Sequence, residues 1–233
     1  MKTGIVVCNF PRAPKETIDA LGRFGVATVH EAMGRAGLMQ PYMRPIYSGA
    51  QIAGSAVTVL AQPGDNWMIH VAIEHCRPGD VLVVGVSAEN TDGMFGELMA
   101  TSVASRGVVG LVIDAGCRDI ASLKEMKFPA WSRAISARGT VKATLGSVNI
   151  PIVCAGTVVH AGDVVVADDD GVVIVPRSAA ANVVSASEQR IAKEEKKRAR
   201  LAAGELGLDI DLMRQRLAEL GLKYFDTAEE AGL

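Results

Sequence analysis

The stretch Gly110-Leu-Val-Ile-Asp-Ala-Gly-Cys-Arg-Asp119 sets a cation, Arg118, directly beside a carboxylate, Asp119. A guanidinium forks onto a carboxylate or carbonyl oxygen, and an Asp offers a hard oxygen ligand to Mg²⁺ or a similar ion. The pair therefore suits a small anionic substrate held on a metal. Residues 108–113 are an apolar run bounded by Gly and read as a buried strand. It ends in Asp114 and a flexible Ala115-Gly116 corner, and the chain from Asp119 onward reads as a helix. Ligands of α/β folds gather at such strand-to-helix junctions. An Arg-Asp pair at a helix start is also often a plain cap beside a solvated charge, so a second segment is needed.

That segment lies just upstream, in Gly93-Met-Phe-Gly-Glu-Leu-Met-Ala-Thr-Ser102. It reads as a loop entering a helix. Gly96 lets backbone approach a ligand closely. The unsatisfied N–H groups of Gly96, Glu97, Leu98 and Met99 open the helix and could cradle a carboxylate. Glu97 could serve a metal or its bound water. Cys117 reads as a small buried residue behind Arg118 rather than as a nucleophile.

The elements that must position these groups follow from periodicity. Residues 16–24 read as a short helix, and Thr28-Val-His-Glu31 as a capping box opening a second. Residues 52–60 and 81–87 read as strands, with a helix between them capped by Asp65. Strand and helix thus alternate through the middle of the chain, as in crossover units. Beyond Phe128 the pattern becomes short β runs, including 141–153, separated by turns such as Asp168-Asp-Asp-Gly171. From Ser178 the chain reads as helical, with a last amphipathic helix over 208–220 whose Met213, Leu217 and Leu220 share an apolar face. Such a tail needs another surface to bury it, most simply a second copy of the chain. The division expected is a core over 1–177 and a helical extension over 178–233.

Other chemistries find no support. The 233 residues carry a net charge of −2, giving no field for nucleic acid, and Lys196, Lys197, Arg198 and Arg200 are interleaved with glutamates. No apolar run is long enough to span a bilayer and no signal-peptide pattern opens the chain, so a cytoplasmic location is expected. Cys8, Cys76, Cys117 and Cys154 have no zinc spacing. The four histidines form no triad or His-Glu-x-x-His, and His70 and His75 read as lying on or beside a packed helix face. Asp168-Asp-Asp-Gly171 lacks the last ligand of a calcium loop and reads as a hairpin turn. Lys142, the one lysine in a strand-like run, has no neighbours suited to a Schiff-base role.

The pairing of Gly96-Glu97-Leu98 with Asp114-Ala-Gly-Cys-Arg118-Asp119 resembles the signature of the class II pyruvate aldolases in the superfamily of the regulator of ribonuclease activity A. The type approached is the 4-hydroxy-4-methyl-2-oxoglutarate/4-carboxy-4-hydroxy-2-oxoadipate aldolase. The resemblance runs from about Phe24 to the C-terminus and takes in the stretch 162–176 and the tail 201–209. It implies a layered α/β/β/α sandwich with a C-terminal helical extension, assembled as trimers or hexamers. It also implies Mg²⁺ or Mn²⁺ on Asp119 and ordered waters, a substrate carboxylate on the N–H groups of Gly96, Glu97, Leu98 and Met99, and Arg118 on the C2 oxygen. Glu97 would order water near the metal, although relatives often carry the shorter Asp there. A glutamate from an adjacent subunit, Glu194 with Glu195 as rival, would complete the site. The implied reaction is retro-aldol cleavage of a 4-hydroxy-2-oxo diacid to pyruvate and a second oxo acid in aromatic-acid catabolism, with oxaloacetate decarboxylation as a side activity. Shorter members of the superfamily instead inhibit a ribonuclease by direct contact, which is the alternative. Spacing singles out no residue for the far carboxylates: Arg12, Arg23, Arg77 and Arg133 are candidates, each as readily a solvated surface cation.

Overall fold

Runs of valine, leucine and isoleucine without polar alternation require strands buried on both faces. In the computed structural model, which describes residues 4–233, they form the centre of a ten-stranded sheet. The strands among the described residues are β1 (Ile5–Val6), β2 (Arg44–Pro45), β3 (Ile52–Ala61), β4 (Asp80–Val86), β5 (Gly93–Phe95), β6 (Gly110–Cys117), β7 (Ala130–Ile135), β8 (Ser147–Val148), β9 (Ile152–Cys154), β10 (Thr157–Val159), β11 (Val164–Asp168) and β12 (Gly171–Val175), of which β9 and β10 pair with each other outside the ten-stranded sheet. The helices are α1 (Lys15–Phe24), α2 (Val26–Ala32), α3 (Trp67–Ile73), α4 (Glu97–Ala104), α5 (Ile120–Glu125), α6 (Ala180–Ala202), α7 (Gly207–Ile210) and α8 (Met213–Glu219).

Strands β3, β4, β6 and β7 are parallel neighbours in that order. The chain steps across the sheet in one direction, and α3, α4 and α5 pack on one face of it. Ile69, Ala100 and Leu123 from those helices share a core with Val57, Leu82, Leu111 and Ile113. A second β layer covers the opposite face. The first half of β3 pairs antiparallel with β11 and its second half with β8. One strand thereby belongs to two layers. In the β11–β12 hairpin, Val165, Ala167, Val172 and Ile174 face Val81, Val83, Val112 and Trp131. Val164, Val166, Val173 and Val175 face Leu21, Val26, Val29 and Val183 of α1, α2 and α6. The order is helix, sheet, sheet, helix: the α/β/β/α sandwich.

The hairpin's turn residues do more than reverse the chain. Asp168 Oδ2 accepts the Val26 N–H at 2.8 Å, and Asp169 accepts the Gly49 N–H at 2.9 Å. The Asp168 carbonyl accepts Trp131 Nε1, and the Asp170 carbonyl accepts Arg44 Nη1. This changes the expected capping of α2. The helix starts at Val26, ahead of Thr28, with no side-chain cap from its own segment; the remote Asp168 serves its first turn instead. The expected β run over 141–153 shrinks to β8 and the start of β9, because the N–H groups of Ala143 and Thr144 go to the Asp65 carboxylate.

Strand β6 also runs further than expected, through Ala115 and Gly116 to Cys117. Gly116 is therefore no corner; a Cβ there would stand 2.3 Å from the Thr91 carbonyl oxygen. Asp114 lies within the strand and is held by Arg133 Nε at 2.8 Å, the Tyr42 hydroxyl at 3.1 Å and the Ala155 N–H at 2.8 Å. The Arg133 guanidinium lies over the Tyr42 ring, 4.2 Å from its centroid. Burial and the Asp114 carboxylate push the Tyr42 hydroxyl up to about 12, so it remains a donor.

Chain contacts divide the structure into a unit ending at Ser187 and a second unit, Glu188–Leu233. Within the second, the amphipathic segment expected as one helix is broken into α7 and α8 at Leu212, whose φ is +53°. Ion pairs Lys197–Asp211, Arg200–Glu205 and Arg214–Asp209 run through this unit. Tyr224, Phe225 and Leu220 are exposed. No helix among the described residues is long and apolar enough to cross a membrane.

The Asp114–Arg133 pair is mostly buried, at 13% and 17% side-chain exposure. Removing one partner of such a pair strands the other charge in a medium that solvates it poorly. Asp114→Ala is expected to cost about 3 kcal/mol in urea-induced unfolding; a loss near zero would mean that the pair is effectively solvated.

Candidate functional site

The C-terminal end of β6 delivers Arg118 and Asp119 to the start of α5, and the neighbouring β5 delivers Gly96 to the start of α4. The two junctions meet. Asp119 Oδ2 accepts the Glu97 N–H at 3.0 Å and lies 3.7 Å from Arg118 Nε. Asp119 holds φ +57°, a left-handed conformation that an Asp adopts at some cost. Its carboxylate makes no cap bond to its own helix, α5. It caps α4 instead. Gly96 permits this approach, because a Cβ there would stand 2.4 Å from Asp119 Oδ2 and 2.9 Å from Arg118 Cγ. The Arg118 N–H is fixed on the Phe95 carbonyl at 2.9 Å.

A cavity of about 150 Å³ opens over this junction, lined by Gly96, Leu98, Met99, Arg118 and Asp119. Arg118 and Asp119 are each close to half exposed. Ala100 begins the α4 hydrogen-bond ladder on the Gly96 carbonyl. The N–H groups of Leu98 and Met99 thus point out of the helix start, where its dipole favours an anion. Of the four N–H groups expected to cradle a carboxylate, that of Glu97 is already taken by Asp119. The Glu97 side chain is likewise engaged, accepting the Thr101 hydroxyl at 2.9 Å one turn along α4, and it is not part of the lining. A second hollow, about 350 Å³, lies against Arg118, Asp119, Ile120, Ile135 and Ser136.

The same cavity takes in Asn66, His70 and Lys142, which sequence reasoning did not place there. Asn66 and His70 are four residues apart at the start of α3 and share a face, a spacing that could have been noticed. Lys142 arrives from a distant loop, and no local signal announces it. Buried Asn66 donates from Nδ2 to the Met94 carbonyl at 3.1 Å and leaves its Oδ1 with no partner in the protein. Burial, and then the charge of Lys142, push the His70 imidazole below its ordinary value, so it is neutral at pH 7. Two cations, Arg118 and Lys142, therefore face one carboxylate across a small hollow, which favours a ligand carrying more than one negative charge.

The remaining candidates go elsewhere. Arg133 is spent on Asp114, and Arg12 on Asp80 at 2.7 and 2.8 Å. Burial drives the Cys117 thiol up to about 12, which makes it a packing residue. Glu194 lies on α6 within the second unit, 2.8 Å from Arg190, and Glu195 pairs with Arg198.

The family model described as Aldolase/RraA matches residues 26–174, the part of the chain that holds the whole cavity. A protein of Halalkalibacterium halodurans named "Putative 4-hydroxy-4-methyl-2-oxoglutarate aldolase" is 31% identical over 126 residues, 54% of this chain and 60% of that protein. One of the same name from Burkholderia multivorans is 32% identical over 59% of this chain and 83% of its own length. Among solved structures, Streptomyces coelicolor RraAS2, described as an unusual member of the RNase ES inhibitor RraA family, superposes with a TM-score of 0.72. It is 27% identical, with 82% of this chain and 99% of that one covered. With the family model spanning well over half of its length, the chain belongs to the Aldolase/RraA, or RraA-like, family.

Proposed function

We propose that this protein is a class II pyruvate aldolase. It cleaves a 4-hydroxy-2-oxo diacid, 4-hydroxy-4-methyl-2-oxoglutarate or 4-carboxy-4-hydroxy-2-oxoadipate, to pyruvate and a second oxo acid. The observation that carries the reading is one small cavity in which Arg118 and Asp119 face the N-terminus of α4, with a second cation, Lys142, in the same lining. The names of the curated relatives support the same chemistry.

The donor set fits a hard divalent ion. Among the described residues no three His, Cys, Asp or Glu side chains gather around one point, and Asp119 offers one oxygen while the other is held by Glu97 N–H. Mg²⁺ or Mn²⁺ is commonly bound in this way, by one or two carboxylates with water and substrate oxygens completing the shell. When bound, such an ion supplies Lewis-acid polarisation of the C2 carbonyl.

The chain's own groups do the rest. The N–H groups of Leu98 and Met99 hold the C1 carboxylate. Arg118 donates to the C2 oxygen. As the C3–C4 bond breaks, its electron pair moves onto the pyruvyl fragment, and Arg118 holds the negative charge that develops on that oxygen. The C4 hydroxyl gives up its proton and becomes the carbonyl of the second product; protonation at C3 completes pyruvate. Asn66 Oδ1 is an acceptor suited to the C4 hydroxyl, and Lys142 to the far carboxylate. Glu97, once its carboxylate leaves the Thr101 hydroxyl, and Glu194 of a neighbouring copy in a trimer or hexamer would order the water that takes the proton. Oxaloacetate presents the same pyruvyl end, and loss of CO₂ leaves the same charge on the same oxygen, so decarboxylation accompanies the aldolase activity. The likeness to a ribonuclease-inhibitor family member favours a second reading, a protein-binding regulator; a coupled pyruvate assay separates the two.

In that assay, excess chelator is expected to abolish pyruvate release and Mg²⁺ to restore it; full activity in chelator would overturn the metal-dependent mechanism. Arg118→Ala is expected to lower kcat about 100-fold, the worth of one well-placed donor to a developing oxyanion. Its melting temperature should not move, since Arg118 is half exposed and only loosely paired. Near-normal turnover would remove Arg118 from the chemistry. Gly96→Ala drives a methyl group into Asp119 Oδ2 and should weaken Mg²⁺ activation by at least about tenfold. An unchanged Mg²⁺ titration would show that Asp119 does not hold the ion.

A further inference from the structure

Asp65 is not itself part of the cavity lining, yet it joins two segments that are. It is 3% exposed. Its Oδ1 accepts the Trp67 N–H at 2.9 Å, at the first turn of α3, and its Oδ2 accepts the N–H groups of both Ala143 and Thr144 at 2.7 Å. Burial pushes this acid up, but the three backbone N–H bonds and the Lys142 charge outweigh it and hold Asp65 below the usual carboxylate value. It is thus a buried anion saturated by backbone donors.

Lys142 stands between two tethers to that one segment. On its C-terminal side are the two bonds to Asp65. On its N-terminal side, the Val141 N–H donates to the Gly64 carbonyl at 2.9 Å and the Val141 carbonyl accepts the Asn66 N–H at 3.2 Å. The segment 64–67 continues into α3, which carries His70. Asn66, His70 and Lys142 are therefore set by a single local assembly centred on the Asp65 carboxylate. Arg118, Asp119, Gly96, Leu98 and Met99 are set by a different one, made from β5, β6 and the start of α4. The cavity has two ends with separate supports, joined by the Asn66 Nδ2 hydrogen bond to the Met94 carbonyl.

Resting on the aldolase reading of this cavity, we propose that Asp65 is a positioning residue for the end that receives the substrate's second carboxylate. It holds Lys142 in register with Asn66 and His70, and through that register sets the preference for diacids over monoacids. Asp65→Asn keeps the shape and removes the charge. An amide nitrogen cannot accept, so one of the two oxygens' sets of N–H bonds must be lost. Thr144→Pro is the milder companion: it deletes one donor on an exposed stretch and leaves the buried carboxylate its other two bonds.

The test is calorimetric titration of the full chain with Mg²⁺ present, using pyruvate and 2-oxoglutarate. The latter has the same pyruvyl end and adds a second carboxylate, but it lacks the C4 hydroxyl and is not cleaved. The unmodified protein is expected to bind 2-oxoglutarate about tenfold more tightly than pyruvate, as one charge-assisted contact gives. Asp65→Asn should lose most of that preference and Thr144→Pro part of it, while the pyruvate Kd of each moves less than about twofold. Equal weakening of both ligands would mean that Asp65 serves general stability alone, and an unchanged preference would mean that it positions nothing; either overturns the proposal. Equal affinity of the unmodified protein for the two ligands overturns it as well. Failure of the unmodified protein to bind pyruvate at all would bring down the pyruvyl site itself, and that outcome is read before any variant is made.

Discussion

One hydrogen bond holds the site together: the carboxylate of Asp119, at the start of α5, on the N–H of Glu97, at the start of α4. Two helices leave adjacent strands, and each would ordinarily cap its own first turn. Here the second caps the first. The arrangement requires a left-handed residue at 119 and an absent side chain at 96, and both conditions are met. Backbone strain of this kind costs about 1–3 kcal/mol and persists only where the surroundings enforce it. The enforcing contacts are the Arg118 N–H on Phe95 and the Leu123 N–H on the Asp119 carbonyl. The result is one oxygen of Asp119 committed to the protein and a guanidinium alongside it.

The layers explain why this junction can be so exact in a stretch of loop. Strand β6 is flanked by β4 and β7 and is buried on both faces. It has no freedom to shift. Asp114, which looks from its position like part of the site, belongs to this support: it ties β6 to Arg133 on β7 and to the Ala155 N–H in the overlying layer. The candidate site sits just past the end of a strand that is buried apart from the partly exposed Asp114.

What was legible in the sequence was what is local. The apolar runs that became β3, β4 and β6, the turn at Asp168, and the closeness of Gly96 to the Arg118-Asp119 corner all depend on neighbours within a few tens of residues and on the regular stepping of crossover units. What was illegible depends on single tertiary hydrogen bonds. Nothing near Thr28 says that Asp168 will cap α2 and leave the local box unused. Nothing near Lys142 says that Asp65 will draw its loop off the β pattern suggested by Val141 and Val148 and set it beside Asn66. The apparent flexibility of Ala115-Gly116 misled for a related reason. A glycine signals either a bend or a close approach, and only the packing of Gly116 against the Thr91 carbonyl decides which.

The aspartate-rich turn of the β11–β12 hairpin looks from outside like the most expendable part of the fold, since tips of hairpins commonly tolerate insertions. In this molecule it is a fastener. Through Asp168, Asp169 and Asp170 it grips the first turn of α2, the backbone at Gly49, the indole of Trp131 and the guanidinium of Arg44. These four partners come from three stretches of chain, around residues 26, 44–49 and 131. Lengthening the turn by even one residue would part several of these joints at once, so the conformational latitude usually granted to surface loops is withdrawn here.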